Sequence, residues 1–135
     1  MSLSAEIDID VPFYDVDPMH VVWHGHYVKY FEHARCALLR LIDYDYPAMQ
    51  HSGYLWPVVE LHLKYVRSAS YGQRLLARAT LLEYENRLKI GYQITDRASG
   101  ERLTKGHSVQ VAVHAATREL QFVSPKVLLD KLGKR

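Results

Sequence analysis

Residues 15–27 hold the densest set of reactive side chains in the chain: Asp15-Val16-Asp17-Pro18-Met19-His20-Val21-Val22-Trp23-His24-Gly25-His26-Tyr27. A carboxylate in such a loop can attack an acyl carbon or take a proton from water. A run with helical spacing begins at Tyr27, so the loop abuts a helix N-terminus. Helix N-termini offer unpaired N–H groups and a partial positive charge. Those groups polarise a carbonyl or hold a developing oxyanion. A carboxylate beside them suits chemistry on an acyl group. Taken alone, an aspartate just before proline is more often a turn or cap residue, and Asp15 reads as a turn-stabilising or supporting residue.

Metal chemistry has the right residue types here, since His20, His24 and His26 lie near two aspartates. Spacings of four and two across a loop-to-helix junction match no standard ligand motif, so no metal is expected. His51, His62, His107 and His114 read as isolated strand or surface histidines. Glu32 has Arg35 three residues on, which reads as an ion pair on the helix surface or at an interface.

Defined elements must position this loop. Ile7, Ile9, Val11 and Phe13 alternate, predicting a strand over 5–13. Tyr27, Tyr30, Phe31, Ala34, Ala37, Leu38, Leu41 and Ile42 recur at helical spacing, with Lys29, Glu32, Arg35 and Arg40 opposite. A short helix is expected over Tyr46–His51, ended by Ser52-Gly53. The period then becomes two, predicting strands over 55–67, 74–84, 88–96 and 103–114. Glu85-Asn86 and Ala98-Ser99-Gly100 separate the last three. Ser124-Pro125 reads as an N-cap and first helical residue, opening a final helix to about Leu132. A strand, a long apolar-faced helix and four antiparallel strands pack most simply as a meander curled around the helix, an α+β domain over 1–135.

Composition excludes several function classes. The chain has 135 residues, the size of one domain, and 48% hydrophobic residues, enough for a real core. A net charge of +2, with Lys and Arg scattered, argues against nucleic acid as a partner. The basic tail of Lys131, Lys134 and Arg135 reads as a solvated helix end. A lone cysteine, Cys36, excludes an internal disulfide and a thiolate metal cluster, and its place in the helix suits a buried structural thiol. No signal-peptide pattern is present and no apolar run approaches a membrane span, so a cytoplasmic location is the default expectation.

The segment Asp15-x-Asp17-Pro18-x-x-Val21-Val22-Trp23-His24-x-x-Tyr27-x-x-Tyr30-Phe31-Glu32-x-Ala34-Arg35 resembles the signature of the 4-hydroxybenzoyl-CoA thioesterase-like hotdog family. Tyr65-Val66-Arg67 followed by Tyr71-Gly72 extends the similarity over nearly the whole chain. The resemblance implies a hotdog fold, with an antiparallel sheet of about five strands wrapped around one long central helix. It implies hydrolysis of an acyl thioester, of coenzyme A or of acyl carrier protein, without a cofactor. Asp17 would be the catalytic carboxylate, as nucleophile through a mixed anhydride or as base on water. N–H groups around Trp23 and His24 would bind the thioester oxygen, and His24 matches a histidine beside that aspartate in some bacterial members.

Further positions follow from the same resemblance. Arg87 falls near a basic position that contacts the nucleotide in relatives, with Lys64, Arg67 and Lys89 as other candidates. A five-stranded sheet leaves an open edge, so the active unit is expected to be a dimer within a tetramer, and relatives place their substrate in a crevice between subunits. There the Asp17 loop would face partner strand residues including Val58, Val59 and Glu60. Trp23, Tyr30, Tyr54, Trp56 and Tyr92 either line an acyl pocket or pack the core. The chain departs from the pattern at Met19-His20, where small residues are usual. It departs again at Phe13, a tyrosine in some members, and at Gln73, where an acidic residue often stands. Two other readings remain. One is a hotdog dehydratase or hydratase, whose His-Phe-Pro start and glycine-led helix are absent. The other is a non-catalytic acyl-binding module.

Overall fold

The helical spacing around Tyr27 becomes α1, His26–Leu41, in the computed structural model, which describes residues 3–133. Before it lie β1, Ser4–Asp10, and a 3-10 turn at Phe13–Asp15 where the sequence suggested a longer strand. Pro12, with no N–H to donate, stands where that strand would have continued. After α1 come α2, Tyr46–His51, then β2, Tyr54–Leu55, and β3, Val58–Tyr65. The single strand expected over 55–67 is therefore two, broken at Trp56-Pro57. The remaining elements are β4, Arg74–Glu83, β5, Leu88–Asp96, β6, Arg102–Gln110, β7, Val113–His114, and α3, Lys126–Lys131.

The five long strands form one antiparallel sheet in the order β1-β4-β5-β6-β3, and β2 pairs with β7. β4, β5 and β6 are the expected meander. β3 departs from it by lying beyond β6 at the far edge. Residues 66–73 must therefore cross an end of the sheet to reach β4. That crossing brings Ala69 and Ser70 against the Asp17 loop, which a plain meander would not do.

Register explains how the helix sits. The row Ala5–Ala79–Tyr92–Gly106–Leu63 faces α1, as does Ile7–Ala77–Ile94–Thr104–Tyr65. Small residues in these rows let the helix approach. The Phe31 ring stacks on Tyr92, centroids 4.4 Å apart, and a Cβ on Gly106 would come within 3.0 Å of the Phe31 ring. Tyr27, Tyr30, Phe31, Ala34 and Leu38 are buried as their spacing predicted, whereas Leu41 is exposed. Arg35, assigned to the solvent face, is instead buried, bonded to Glu32 and to the Tyr46 hydroxyl of α2. Its long side chain can be covered because those two partners meet the guanidinium.

Ser124 does not cap α3. Its hydroxyl donates to the Tyr84 carbonyl, and Pro125 takes the cap position. Lys131 pairs with Asp43, while Lys134 and Arg135 of the basic tail lie outside the described residues. β3 is exposed along nearly its whole length, including Val59, Leu61 and Tyr65.

Candidate active site

Residues 15–25 form a short hairpin running straight into α1. Val16 bridges Val22, Asp17 N–H donates to the Val21 carbonyl (2.9 Å), and Trp23 N–H donates to the Asp15 carbonyl (3.0 Å). His20 adopts a left-handed conformation (φ 67°) to close the turn, with its N–H on the Asp17 carbonyl. The crossing segment braces the hairpin from below: Val22 N–H donates to the Ala69 carbonyl and Val21 bridges Ser70. Ala69 N–H in turn donates to the buried Tyr27 hydroxyl of α1 (3.0 Å). Hairpin, crossing segment and helix start are thus one hydrogen-bonded unit.

Within it, the Asp17 carboxylate accepts from Met19 N–H through Oδ1 (2.8 Å). Its Oδ2 has no partner among the described residues and the side chain is half-buried, so one carboxylate oxygen stays available for chemistry. Gly25 caps α1 without a side-chain hydrogen bond, and the first turn carries no acidic residue. The N–H groups of His24 and Gly25 meet no backbone acceptor among the described residues. An anionic or carbonyl oxygen would satisfy them.

Asp15 has the stronger electrostatic setting. It is 1% exposed, accepts from Tyr30 Oη (2.6 Å), and takes Lys29 Nζ on both oxygens (2.9 Å each). His26 Nε2 lies 3.8 Å away. Burial works to raise the pKa of this carboxyl. The Tyr30 and Lys29 hydrogen bonds and the Lys29 and His26 charges outweigh it and hold the pKa below its ordinary value. The same contact, after burial, pushes the Tyr30 phenol upward. Asp15 is a clamp between the base of the hairpin and the first turns of α1. The local sequence predicts a supporting role for Asp15 but not its partners, although Lys29 and Tyr30 stand one turn into the helix.

The other sequence-predicted residues fall into two groups. Trp23 and His24 close the base of the hairpin that carries Asp17 at its turn, and lead into α1. The Trp23 ring is 47% exposed and lies over Gly25, where an added Cβ would clash with it. The His24 ring lies 5.0 Å from Trp23 and 6.3 Å from Tyr65, whose hydroxyl donates to the His24 carbonyl. No hydrogen bond joins His24 to Asp17 among the described residues. Val59, Glu60 and Arg87 gather at the opposite end of β3. Glu60 and Tyr65 are five residues apart on that strand, about 16 Å at the usual rise. Arg87 is engaged by Glu83 (2.7 Å) and Glu60 (3.6 Å), so a nucleotide phosphate there would displace a carboxylate. Of the aromatic residues considered as pocket walls, Tyr30, Trp56 and Tyr92 are core, Tyr54 is half-buried, and Trp23 alone is exposed.

His62 and His107 are not isolated. They face each other across β3 and β6 with rings stacked 5.3 Å apart. No group of three or more His, Cys, Asp or Glu among the described residues has a metal-binding arrangement. Cys36 is half-buried, with its thiol pKa raised by burial.

Residues 11–132 match the model of the thioesterase-like superfamily. A Synechocystis protein provisionally named an esterase is 32% identical over 130 residues, 96% of this chain and 78% of that protein. A Bacillus subtilis protein provisionally named an acyl-CoA thioesterase is 29% identical over 85% of this chain and 84% of its own. Among solved structures, a 1,4-dihydroxy-2-naphthoyl-CoA thioesterase from Synechocystis superposes with a TM-score of 0.85 at 18% identity, covering 96% of both chains.

Proposed function

The chain belongs to the thioesterase-like superfamily, and from that premise we propose that its hairpin–helix junction hydrolyses an acyl-CoA thioester through Asp17. It has the hotdog fold and is a thioester hydrolase. The observation that carries the role of Asp17 is its half-satisfied carboxylate on a braced hairpin, a few residues before the uncapped start of α1. The thioester carbonyl is polarised by the His24 and Gly25 N–H groups, which gain strength as charge builds on oxygen. Asp17 attacks the acyl carbon, or draws a proton from an attacking water, and the thiolate leaves. Trp23 borders the acyl group, and His24 orients water or substrate.

Two features favour this over the alternatives. A dehydratase needs a free acid on the central helix, and Glu32 is tied to Arg35 at 2.6 Å. A passive acyl-binding module has no use for a carboxylate held with one oxygen idle. The active unit is proposed as a dimer within a tetramer, located in the cytoplasm. No helix among the described residues is long and apolar enough to cross a membrane. Pairing β3 with its copy about a two-fold axis brings the partner strand's Val58–Glu60 end to the Tyr65 end of the first, beside the hairpin. Arg87 and Glu60, distant from Asp17 in one subunit, then border the second subunit's site. Carrier-protein thioesters belong to the same reading as alternative substrates.

The test is turnover of a panel of short, long, branched and aromatic acyl-CoAs, beside acyl-loaded carrier protein, by wild type and Asp17→Asn. Thiol release that is abolished in the folded variant is expected. Thiol release at the wild-type rate in that variant would overturn the assignment.

A further inference from the structure

The peptide between His24 and Gly25 has two settings open to it, and a side chain outside the hairpin chooses between them. His26 N–H donates to the Trp23 carbonyl (2.9 Å), so residues 23–26 form a β-turn with His24 and Gly25 at its centre. Gly25 has φ −68° and ψ −23°, which is the type I form. The type II form of the same turn has the central peptide turned over and needs positive φ at the third residue. Other residues resist that conformation, whereas glycine takes it freely. The chain therefore carries, at this position, the residue that leaves both forms accessible.

The two forms present opposite groups. A trans peptide is planar, so its N–H and C=O point in opposite directions. In the observed form the Gly25 N–H meets no backbone acceptor among the described residues. In the other form the His24 carbonyl oxygen takes the place of that N–H, and would repel an acyl oxygen instead of binding it. Tyr65, the last residue of β3, biases the balance. Its hydroxyl donates to the His24 carbonyl (2.9 Å). Turning the peptide over breaks this bond and leaves the phenol oxygen only the chance to accept. A phenol oxygen accepts weakly, because a lone pair is delocalised into the ring.

The hydroxyl is held in place from two sides. Tyr65 pairs with Thr104 of β6, and its ring meets the Tyr27 ring of α1 edge-on, centroids 5.4 Å apart. Burial pushes the phenol pKa upward, so the proton it donates is retained. A hydrogen bond to the carbonyl also polarises the whole peptide and strengthens its N–H as a donor. We propose that Tyr65 is a positioning residue, whose hydroxyl holds the His24–Gly25 peptide in the setting that leaves the Gly25 N–H to the acyl oxygen. This role rests on the thioester hydrolysis proposed above.

Tyr65→Phe keeps the ring against Tyr27 and removes only the donor. With the acyl-CoA that wild type turns over fastest, kcat should fall about three- to tenfold, the bias that one net hydrogen bond gives to a pair of settings. KM should stay within about twofold, because the N–H matters most as charge builds on the oxygen. A second readout needs no substrate. In protein labelled with nitrogen-15 at glycine, the Gly25 amide signal should move or broaden in Tyr65→Phe, since the peptide then samples both settings. Heat-denaturation curves establish that the variant is folded. A tyrosine that only packed the end of β3 would lower the melting temperature in Tyr65→Leu and leave Tyr65→Phe equal to wild type in both readouts. An unmoved Gly25 signal, or an unchanged kcat, overturns the proposal. Wild type inactive on every acyl-CoA overturns the thioester reading and this role with it. An active wild type matched by Tyr65→Phe overturns the role of Tyr65 alone.

Discussion

Two aspartates two residues apart have different surroundings, and the roles proposed for them differ accordingly. Asp17 keeps an oxygen idle, whereas Asp15 spends both on Lys29 and Tyr30. Asp17→Asn should keep its circular dichroism spectrum and lose at least about 100-fold in turnover, the scale of removing a positioned base or nucleophile. Asp15→Asn should instead cost stability, by about 1.5–3 kcal/mol, because the buried Tyr30 hydroxyl loses a charged acceptor and Lys29 its ion pair. The pH dependence follows from the sign of its shift. Its folded pKa is depressed below the ordinary 3.8, so its stabilisation is complete above that value and fades as pH falls through the folded one. Urea midpoints taken from pH 6 down to pH 2 should fall for wild type and show a shallower acid limb in Asp15→Asn. Parallel curves would remove Asp15 from the acid transition. Chelation should leave hydrolysis unchanged, since a carboxylate attacking a thioester needs no Lewis acid. Activity restored by one specific metal would redirect attention to the histidines.

At the scale of the element, the start of α1 is the proposed site of carbonyl polarisation. Gly25 has helical dihedrals that any residue tolerates (φ −68°, ψ −23°), so in this setting its lack of a side chain matters for space, not for backbone freedom. The Trp23 ring occupies the place of the missing Cβ. Gly25→Ala must swing the indole aside, and a reacting group moved by about 1 Å can lose up to about 100-fold. We expect kcat/KM to fall at least about tenfold with little change in melting temperature, because Trp23 is half-exposed and contributes little to the core. Unaltered kinetics would mean that the indole does not border the substrate.

For the whole molecule, the exposed β3 edge decides behaviour. Val59, 53% exposed, and Leu61 present apolar side chains on a strand whose outer backbone groups are unpaired. Such an edge invites a second copy. Leu61→Lys puts a charge there without disturbing the core. If β3 pairs with its copy as proposed, light scattering across a dilution series should show the variant dissociating at higher concentration than wild type, with activity falling in step. A fully active monomer would overturn the shared site and leave Asp17 untouched.

The sequence alone determined the period of each element, and with it the central helix, the strands and the loop that joins them. Local spacing carries that information, since side chains at 3.6 or 2 residues share a face. Motif likeness added Asp17, Trp23 and His24 as candidates, all within one short segment, so naming them needed no long-range contact. Tertiary structure decided the rest. The crossing of residues 66–73 set Ala69 and Ser70 beneath the hairpin, and only strand order could place them there. Arg35 was buried because Tyr46, eleven residues on, reaches it, a contact invisible to helical periodicity. The facing of Lys64 with Lys105, and of His62 with His107, depends on register between strands some forty residues apart, which alternation within either strand leaves open.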